Sequence, residues 1–194
     1  STAGTGINVI QPTSNATGRI GKVDLWLQQQ SAPQALLEPA TADMHSVLDI
    51  RYDAKGQRQS IAYGNGVITH YAYDDKTFRL ANLRTLRGSD NVLLQDLYYS
   101  YDPVGNITHI QDNADIQNVV YFKNQRVEPS ADYLYDAVYR LIQASGREHL
   151  GQTGNQLNSP QQPAHSDAGH MGLPHASDGN AMGRYTENYL YDDA

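Results

Sequence analysis

Three evenly spaced histidines have the residue types of a metal site. They are His165, His170 and His175. Together with Asp167 or Asp178, three imidazoles would give a donor set that zinc accepts. The surrounding segment, residues 151–183, has six glycines, three prolines and no Phe, Tyr, Trp, Lys or Arg, which is typical of a long loop. Because such a loop lacks the outer contacts that hold metal ligands in place, we predict a solvated loop without metal or cofactor. The alternative is a zinc site at the three histidines.

Five Tyr-Asp pairs are the second candidate, since a repeated aspartate could serve either chemistry or a turn. They begin at Tyr52, Tyr73, Tyr101, Tyr135 and Tyr191. The clearest copy lies in "YYSYDPVGNITHIQDN", residues 99–114. Type I turns favour Asp first, Pro second and Gly fourth, as Asp102, Pro103 and Gly105 are placed. We therefore interpret the aspartates as turn residues.

The turn interpretation predicts the local backbone. The aspartate side chain should accept a hydrogen bond from the backbone two residues on, and Gly105 should be left-handed and form a bulge. "YDAKG" repeats the pattern with Asp53 and Gly56. Two copies depart from it, because Thr77 and Tyr139 stand where glycine is expected, and we predict turns of another type there. The structural turn residues are Tyr52, Asp53, Gly56, Tyr101, Asp102, Pro103, Gly105, Tyr135 and Asp136.

Other chemistries are excluded by composition or by missing motifs. There is no cysteine, and no Gly-x-Ser-x-Gly elbow or Walker loop, so we predict that the chain is not an enzyme. A net charge of −7 disfavours nucleic acid and anionic membranes as partners. No apolar run is long enough to span a membrane, which predicts no direct membrane insertion, and no signal peptide is visible.

The elements that carry these residues alternate with a period of two. "GKVDLWLQQ" and "SVLDIRYD" have the pattern of half-buried strands, and "SIAYGNGVITHYAYD" that of a hairpin. We predict an all-β fold of mostly antiparallel hairpins. Its parts would be an N-terminal strand and connecting segment (1–44), hairpins of the repeat (45–150), the long loop (151–183) and the start of a further repeat (184–194). The chain stops inside that last copy, so we expect a fragment of a longer protein.

Four stretches resemble a known family. They are "LRTLRG", "YYSYDPVGNITHIQDNA", "YDAVYRLIQASGREHLGQ" and "LPHASDGNAMGRYTENYLYD". In that order they resemble the YD repeats of rearrangement-hotspot (Rhs) proteins, most closely the B component of bacterial insecticidal toxin complexes (Tc toxins). The resemblance covers roughly residues 45–194.

The resemblance implies a function that spacing alone does not indicate. In that family, YD repeats spiral into a hollow β-sheet shell, formed by the B and C components, that encloses a cytotoxic effector. This chain would be a segment of the shell wall, secreted as part of the complex. Its partners would be the adjacent repeats, the C component and the enclosed effector. The alternative is a cell-surface module that binds carbohydrate or peptide, since tyrosine-rich β surfaces can stack either.

Overall fold

A computed structural model describes residues 6–114, 119–152, 175 and 178–192 of the chain. These ranges contain thirteen β-strands and two short 3₁₀ turns, Pro39–Thr41 and Leu150–Gln152. The strands are β1 (Ile7–Ser14), β2 (Ile20–Gln29), β3 (Met44–Tyr52), β4 (Arg58–Tyr63), β5 (Val67–Tyr73), β6 (Leu80–Arg87), β7 (Leu93–Tyr101), β8 (Ile107–Asp112), β9 (Val120–Phe122), β10 (Gln125–Val127), β11 (Ser130–Tyr135), β12 (Leu141–His149) and β13 (Met182–Asn188). The predicted all-β, antiparallel fold is confirmed. No helix in the described ranges has the length and apolar character needed to cross a membrane.

The chain divides into two compact units, residues 1–95 and 96–194. In the first unit the strands pair in the order β1-β2-β3-β4-β5-β6, and in the second in the order β7-β8-β11-β12-β13. The strand pairings described within each unit are antiparallel, as expected when short turns join consecutive strands. The four segments predicted from the sequence stay predictions.

Strand alternation gives each unit a tyrosine face and a polar face. One cross-strand row of the first unit is Ile50, Ile61 and Thr69, and the next row, on the opposite face, is Arg51, Ser60 and His70. The tyrosine face, which we define by the side chains that share a side with Ile61, carries Tyr52, Tyr71 and Tyr73. In the second unit the corresponding face carries Tyr99, Tyr133 and Tyr185. Most tyrosines of these faces are half-buried, so the faces are only partly covered within each unit.

A strap, which we define as residues 30–43, covers part of the first unit. The side-chain amide of Gln11 both donates to and accepts from the backbone of Leu37, at 2.9 and 2.8 Å. The indole Nε1 of Trp26 donates to Thr41 Oγ1 at 3.0 Å. Trp26 is only 3% exposed, so it forms the centre of the small core of this unit.

A separate hairpin, β9 and β10, lies against β13 in the second unit. Its Val127 is fully buried, and so is Ala181 just before β13. The ring of Phe122 meets the ring of His175 edge to face, with 5.2 Å between centroids. These contacts give the second unit a small core of its own beside its sheet.

Candidate functional site

The turn at Asp102 shows how a Tyr-Asp pair works. The Asp102 N–H donates to the Asn106 carbonyl at 3.0 Å, and the Gly105 N–H donates back to the Asp102 carbonyl at 3.2 Å. Asp102 Oδ1 also accepts from the N–H groups of Gly105 (2.7 Å) and Asn106 (2.8 Å), while Oδ2 accepts from Asn106 Nδ2 (2.8 Å). Pro103 lies at the second turn position, where its fixed φ is suited to a type I turn. The carboxylate therefore closes the turn.

The same arrangement recurs at three further turns. Each has a backbone hydrogen bond from the first turn residue to the carbonyl four residues on, and one from the fourth turn residue back to the first. These bonds are 2.9 and 3.0 Å at Asp53, 2.9 and 3.0 Å at Asp136, and 2.7 and 3.0 Å at Asn15. In all three, the side-chain Oδ1 of the first residue accepts backbone hydrogen bonds from the turn. The Asn15 turn, which follows Ser14 rather than tyrosine, is a copy that the Tyr-Asp pattern could not reveal.

The fourth turn position has left-handed backbone. Gly18, Gly56 and Gly105 have φ values of 76°, 86° and 115°. Tyr139 occupies this position with φ 67° and keeps both turn hydrogen bonds. The prediction of another turn type at "YDAVY" is therefore wrong. The reason is that the hydrogen bonds to Asp136, including one from Arg140 Nε at 2.8 Å, hold the turn although Tyr139 has a side chain.

At "YDDKTF" the turn is one residue longer, and the predicted difference is confirmed. The Asp74 N–H donates to the Arg79 carbonyl at 2.9 Å, and the Phe78 N–H donates to the Asp74 carbonyl at 2.8 Å. Thr77 is not the left-handed residue. Phe78 takes that role with φ 58°.

A bulge follows every one of these turns, as predicted for Gly105. The register shifts by one residue between Ser100 and Tyr101, which pair with His109 and Ile107. The same shift occurs next to the other four turns. Since a bulge increases local twist, each repeat bends its strands at the same place.

Three of the tyrosines connect their Tyr-Asp pair to the preceding turn. We call this contact the latch: the tyrosine hydroxyl donates to the carbonyl of the residue five places after the first residue of the preceding turn. Tyr52 donates to Ile20 at 2.8 Å, Tyr135 to Ile107 at 2.9 Å, and Tyr191 to Leu141 at 2.8 Å. Antiparallel pairing brings the groups together, because the end of one strand lies beside the start of its neighbour.

Arginines reinforce two latches. Arg19 and Arg140 both lie four places after the first residue of their turn. The Arg19 guanidinium lies 5.6 Å from the ring centroid of Tyr52, and the Arg140 guanidinium 4.8 Å from that of Tyr191. Such cation–π contacts add about 0.5–1 kcal/mol at exposed positions.

Electrostatics at the turns favours ionised aspartate. The backbone N–H of Thr77 lowers the pKa of Asp74, and the backbone N–H of Arg140 lowers that of Asp136. At Asp102, partial desolvation would raise the pKa, but hydrogen bonds from Asn106 and Gly105 lower it on balance. Burial raises the pKa of Tyr135, which keeps its hydroxyl protonated as the donor that the latch requires.

These directions predict how stability depends on pH. Since the folded-state pKa values of Asp74, Asp102 and Asp136 lie below 3.8, their contribution is fully present above that pH. It is lost as the pH falls through the lowered folded-state values. We expect urea denaturation between pH 3 and 7 to show the free energy of unfolding falling at the acid end. Asp102→Asn should make that fall shallower in the second unit, and parallel curves for the variant and the unmodified chain would contradict this assignment.

Tyr135→Phe tests a single latch. The change removes the hydroxyl that donates to Ile107 and leaves the ring, so we expect the free energy of unfolding to fall by about 0.5–1.5 kcal/mol. Tyr121→Phe is the matched control, because Tyr121 is 71% exposed. Thermal denaturation of both variants measures the difference, and equal shifts would show that the latch adds no stability.

The predicted zinc candidates lie largely outside the described residues. His165 and His170 lie outside the described residues, and His175 packs against Phe122. Within the described ranges, no group of three or more His, Asp or Glu side chains is arranged to hold a metal ion. The loop prediction for residues 151–183, like the absence of a cofactor, stays a prediction.

Two histidine–aspartate pairs were not anticipated from the sequence. His45 Nδ1 lies 2.6 Å from Oδ1 of Asp24, which is only 2% exposed. His109 Nδ1 lies 2.7 Å from Asp132 Oδ1, and Arg184 Nη2 donates to Asp132 Oδ2 at 2.9 Å. Both join neighbouring strands at paired positions, which explains why only the register could reveal them. The second pair lies half-exposed on the polar face, and we assign both pairs to cross-strand stabilisation.

The chain is similar to toxin subunits. No protein-family model matches it. Toxin subunit YenC1 of Yersinia entomophaga is 38% identical over 154 residues, which are 76% of this chain and 14% of the relative. Toxin subunit YenC2 of the same organism is 40% identical over 151 residues, which are 75% of this chain and 14% of the relative. The chain therefore spans about one seventh of the length of these relatives.

Solved toxin complexes share the fold. The crystal structure of TcdB2-TccC3-Cdc42 covers 95% of this chain with a TM-score of 0.64 and 32% identity, and the chain covers 8% of it. The Photorhabdus luminescens Tc holotoxin pore gives the same TM-score and identity, with 7% of its chain covered. The comparisons name YenC subunits and TcdB2 with TccC3, so the expected closeness to the B component stays a prediction. The sequence similarity and the shared fold agree, and the chain belongs to the Rhs/YD-repeat family of Tc toxin subunits.

Proposed function

We propose that this chain is a segment of the wall of an Rhs-type shell, and that the shell encloses a cytotoxic effector of an insecticidal toxin complex. The observation that carries this proposal is the repeated latched turn. Each latch joins one hairpin to the preceding one, so the repeat can continue for any number of copies without a closed core. The wall of a large shell requires a sheet that can be extended by repeats in this way.

The burial of the side chains supports a wall. Among the described residues, the buried hydrophobic side chains are Trp26 and Ile61 in the first unit and Val127, Ala144 and Ala181 in the second. Large apolar side chains such as Leu48, Leu94 and Leu134 remain 42–54% exposed along the strands. Apolar strand surface of this kind is normally covered by further protein. In the shell, adjacent repeats and the enclosed effector would cover it.

The relatives support a role for this chain within a toxin complex. They are named as toxin subunits, and the similar structures are of a TcdB2-TccC3 complex and of a holotoxin pore. By analogy, the partners of this chain are the adjacent repeats, the C component and the effector, and the complex acts outside the producing cell. The chain itself has no turnover in this proposal.

Removing the segment from the intact subunit tests enclosure. We expect deletion of residues 45–150 to expose the effector to added protease and to abolish its delivery. The matched control is Arg51→Ala, which removes an exposed ion pair with Asp49 and should leave the effector protected. The effector is followed by immunoblot after limited proteolysis, and its delivery by toxicity to insect cells.

Two outcomes would contradict the wall. One is an effector that stays protected after the deletion. The other is a variant such as Asp102→Asn, His165→Ala or His170→Ala that folds and protects the effector yet loses toxicity. The second result would require a catalytic or recognition role for the changed side chain.

The cell-surface alternative predicts a different result. A module that binds carbohydrate or peptide would attach to cells without the other toxin components. Binding of the fluorescent intact subunit to insect cells, in the absence of those components, would favour this alternative.

A further inference from the structure

The strap of the first unit adds little apolar burial of its own. Its side chains are exposed except at three positions, which are only half-buried: Leu37, Pro39 and Ala42. It nevertheless covers Trp26, which is 3% exposed. A segment with few buried apolar contacts opens at a lower free energy than the strands beneath it.

Two side chains of the sheet hold the strap by hydrogen bonds. The Gln11 amide accepts one hydrogen bond from the backbone of Leu37 and donates another to it, and the Trp26 indole donates to Thr41. At the last residue of the strap, the Asp43 N–H donates to a carbonyl of β2 at 2.9 Å. Residues 30–42 take no part in the pairing of β2 with β3. They can therefore leave the sheet while these strands remain paired.

A buried carboxylate with an unpaired oxygen lies under the strap. Asp24 pairs with Gln11 on one neighbouring strand and with His45 on the other, and it lies two places before Trp26 on the same face of β2. The carboxylate is thus between the two positions at which the sheet holds the strap, and Asp24 is only 2% exposed. Its Oδ1 contacts His45 Nδ1 at 2.6 Å, whereas Oδ2 has no hydrogen-bond donor among the described residues.

This unpaired oxygen opposes closure of the strap. A buried polar atom without a partner has a higher free energy than the same atom in water, and the difference is larger for a charged group. The penalty disappears when the strap lifts and water reaches Oδ2. The side chain of His45 is 53% exposed, so it stays solvated if Asp24 is replaced, and no second buried group is then left without a partner.

We propose that the strap is a displaceable cover, which opens as one segment while β1, β2 and β3 stay paired, and that Asp24 determines how often it opens. In the open form, the Trp26 indole and the Asp24 carboxylate lie side by side on the surface of the first unit. A surface that exists only in such a minor form is cryptic in the closed protein. The opening involves contacts within the first unit alone and does not depend on the wall proposal.

Hydrogen–deuterium exchange of the full-length protein tests the proposal. The reporter is the Leu37 amide, whose N–H donates to Gln11 Oε1 at 2.8 Å in the closed form, and the reference is the set of backbone amides in β2 and β3. We expect the Leu37 amide to exchange through an opening that leaves β2 and β3 protected. Asp24→Val removes the unpaired oxygen and suits a strand, so it should slow Leu37 exchange roughly tenfold.

Two further variants test the sign of this effect. His45→Ala leaves Asp24 without any partner, so it should accelerate Leu37 exchange, and the double variant with Asp24→Val should lose the acceleration. Asp49→Val is the matched control, because it makes the same change at a carboxylate that is 51% exposed. It should leave Leu37 exchange unchanged.

Two results would overturn the proposal. If Leu37 exchanged only together with β2 and β3, the strap would not open as a separate segment. If Leu37 exchange were unchanged or faster in Asp24→Val, the unpaired oxygen would not oppose closure of the strap.

Discussion

Trp26→Ala is expected to lower the free energy of unfolding of the first unit by about 3–5 kcal/mol. The indole is 3% exposed under the strap, and its Nε1 donates to Thr41. Alanine would leave a cavity and release the contact that holds the C-terminal end of the strap at Thr41. Trp26 is the only tryptophan of the chain, so the alanine variant has no tryptophan fluorescence with which to follow unfolding. The loss is therefore measured by urea denaturation followed by circular dichroism.

Two control variants separate packing from hydrogen bonding in this prediction. Trp26→Phe keeps most of the buried ring and loses the donor, and Thr41→Val keeps the indole and loses the acceptor. Thr41→Val should cost about 1–3 kcal/mol, because the buried indole N–H loses its acceptor. Trp26→Phe should cost about 0.5–1.5 kcal/mol through the lost hydrogen bond, because the exposed Thr41 hydroxyl still donates to the Glu38 carbonyl. If Trp26→Ala cost no more than these two, the indole would not be the centre of the first core.

Gly105→Val should destabilise the second unit by about 1–3 kcal/mol. Gly105 has φ 115°, which a β-branched residue resists, and its N–H makes two of the hydrogen bonds that close the turn. Val104→Ala is the matched control, because Val104 is the adjacent turn residue and is 54% exposed. Equal shifts in melting temperature for the two variants would refute the turn assignment.

The corresponding position of another turn gives the reverse test of the same argument. Tyr139 is left-handed at φ 67°, so Tyr139→Gly should be tolerated without loss of stability. A large loss there would mean that the tyrosine ring contributes more than its backbone conformation costs.

Much of the fold followed from the sequence because its signals are local. Alternation with a period of two identifies strands, and a turn needs only four or five consecutive residues, as at Asp102 to Asn106. The bulge at Gly105 was predictable for the same reason. The turn at Tyr139 differs from the prediction because the hydrogen bonds to Asp136 hold it without a glycine at the fourth position.

The latch could not be predicted, because it joins residues far apart in the chain. Tyr52 and Ile20 are 32 positions apart, and Tyr191 and Leu141 are 50 apart. Only the strand register brings them together, and the number of residues between successive turns varies. The Asn15 turn lacks the Tyr-Asp signature, because Ser14 replaces the tyrosine and Asn15 replaces the aspartate. Gly18 and Arg19 nevertheless lie at the fourth and fifth positions of the turn, where other copies have Gly56 and Arg140. A search that allowed asparagine at the first turn position would have found it.

The latches also determine how each unit responds to mechanical load. Every latch spans one seam between consecutive repeats, and the arginine stacks at Tyr52 and Tyr191 lie at the same seams. A pulling force applied across the strands would load each latch together with the backbone pairing of the same two strands, so that one strand pair would separate at a time. Extension of such a sheet would proceed in steps of one hairpin, and a lost tyrosine would lower the rupture force at a single step.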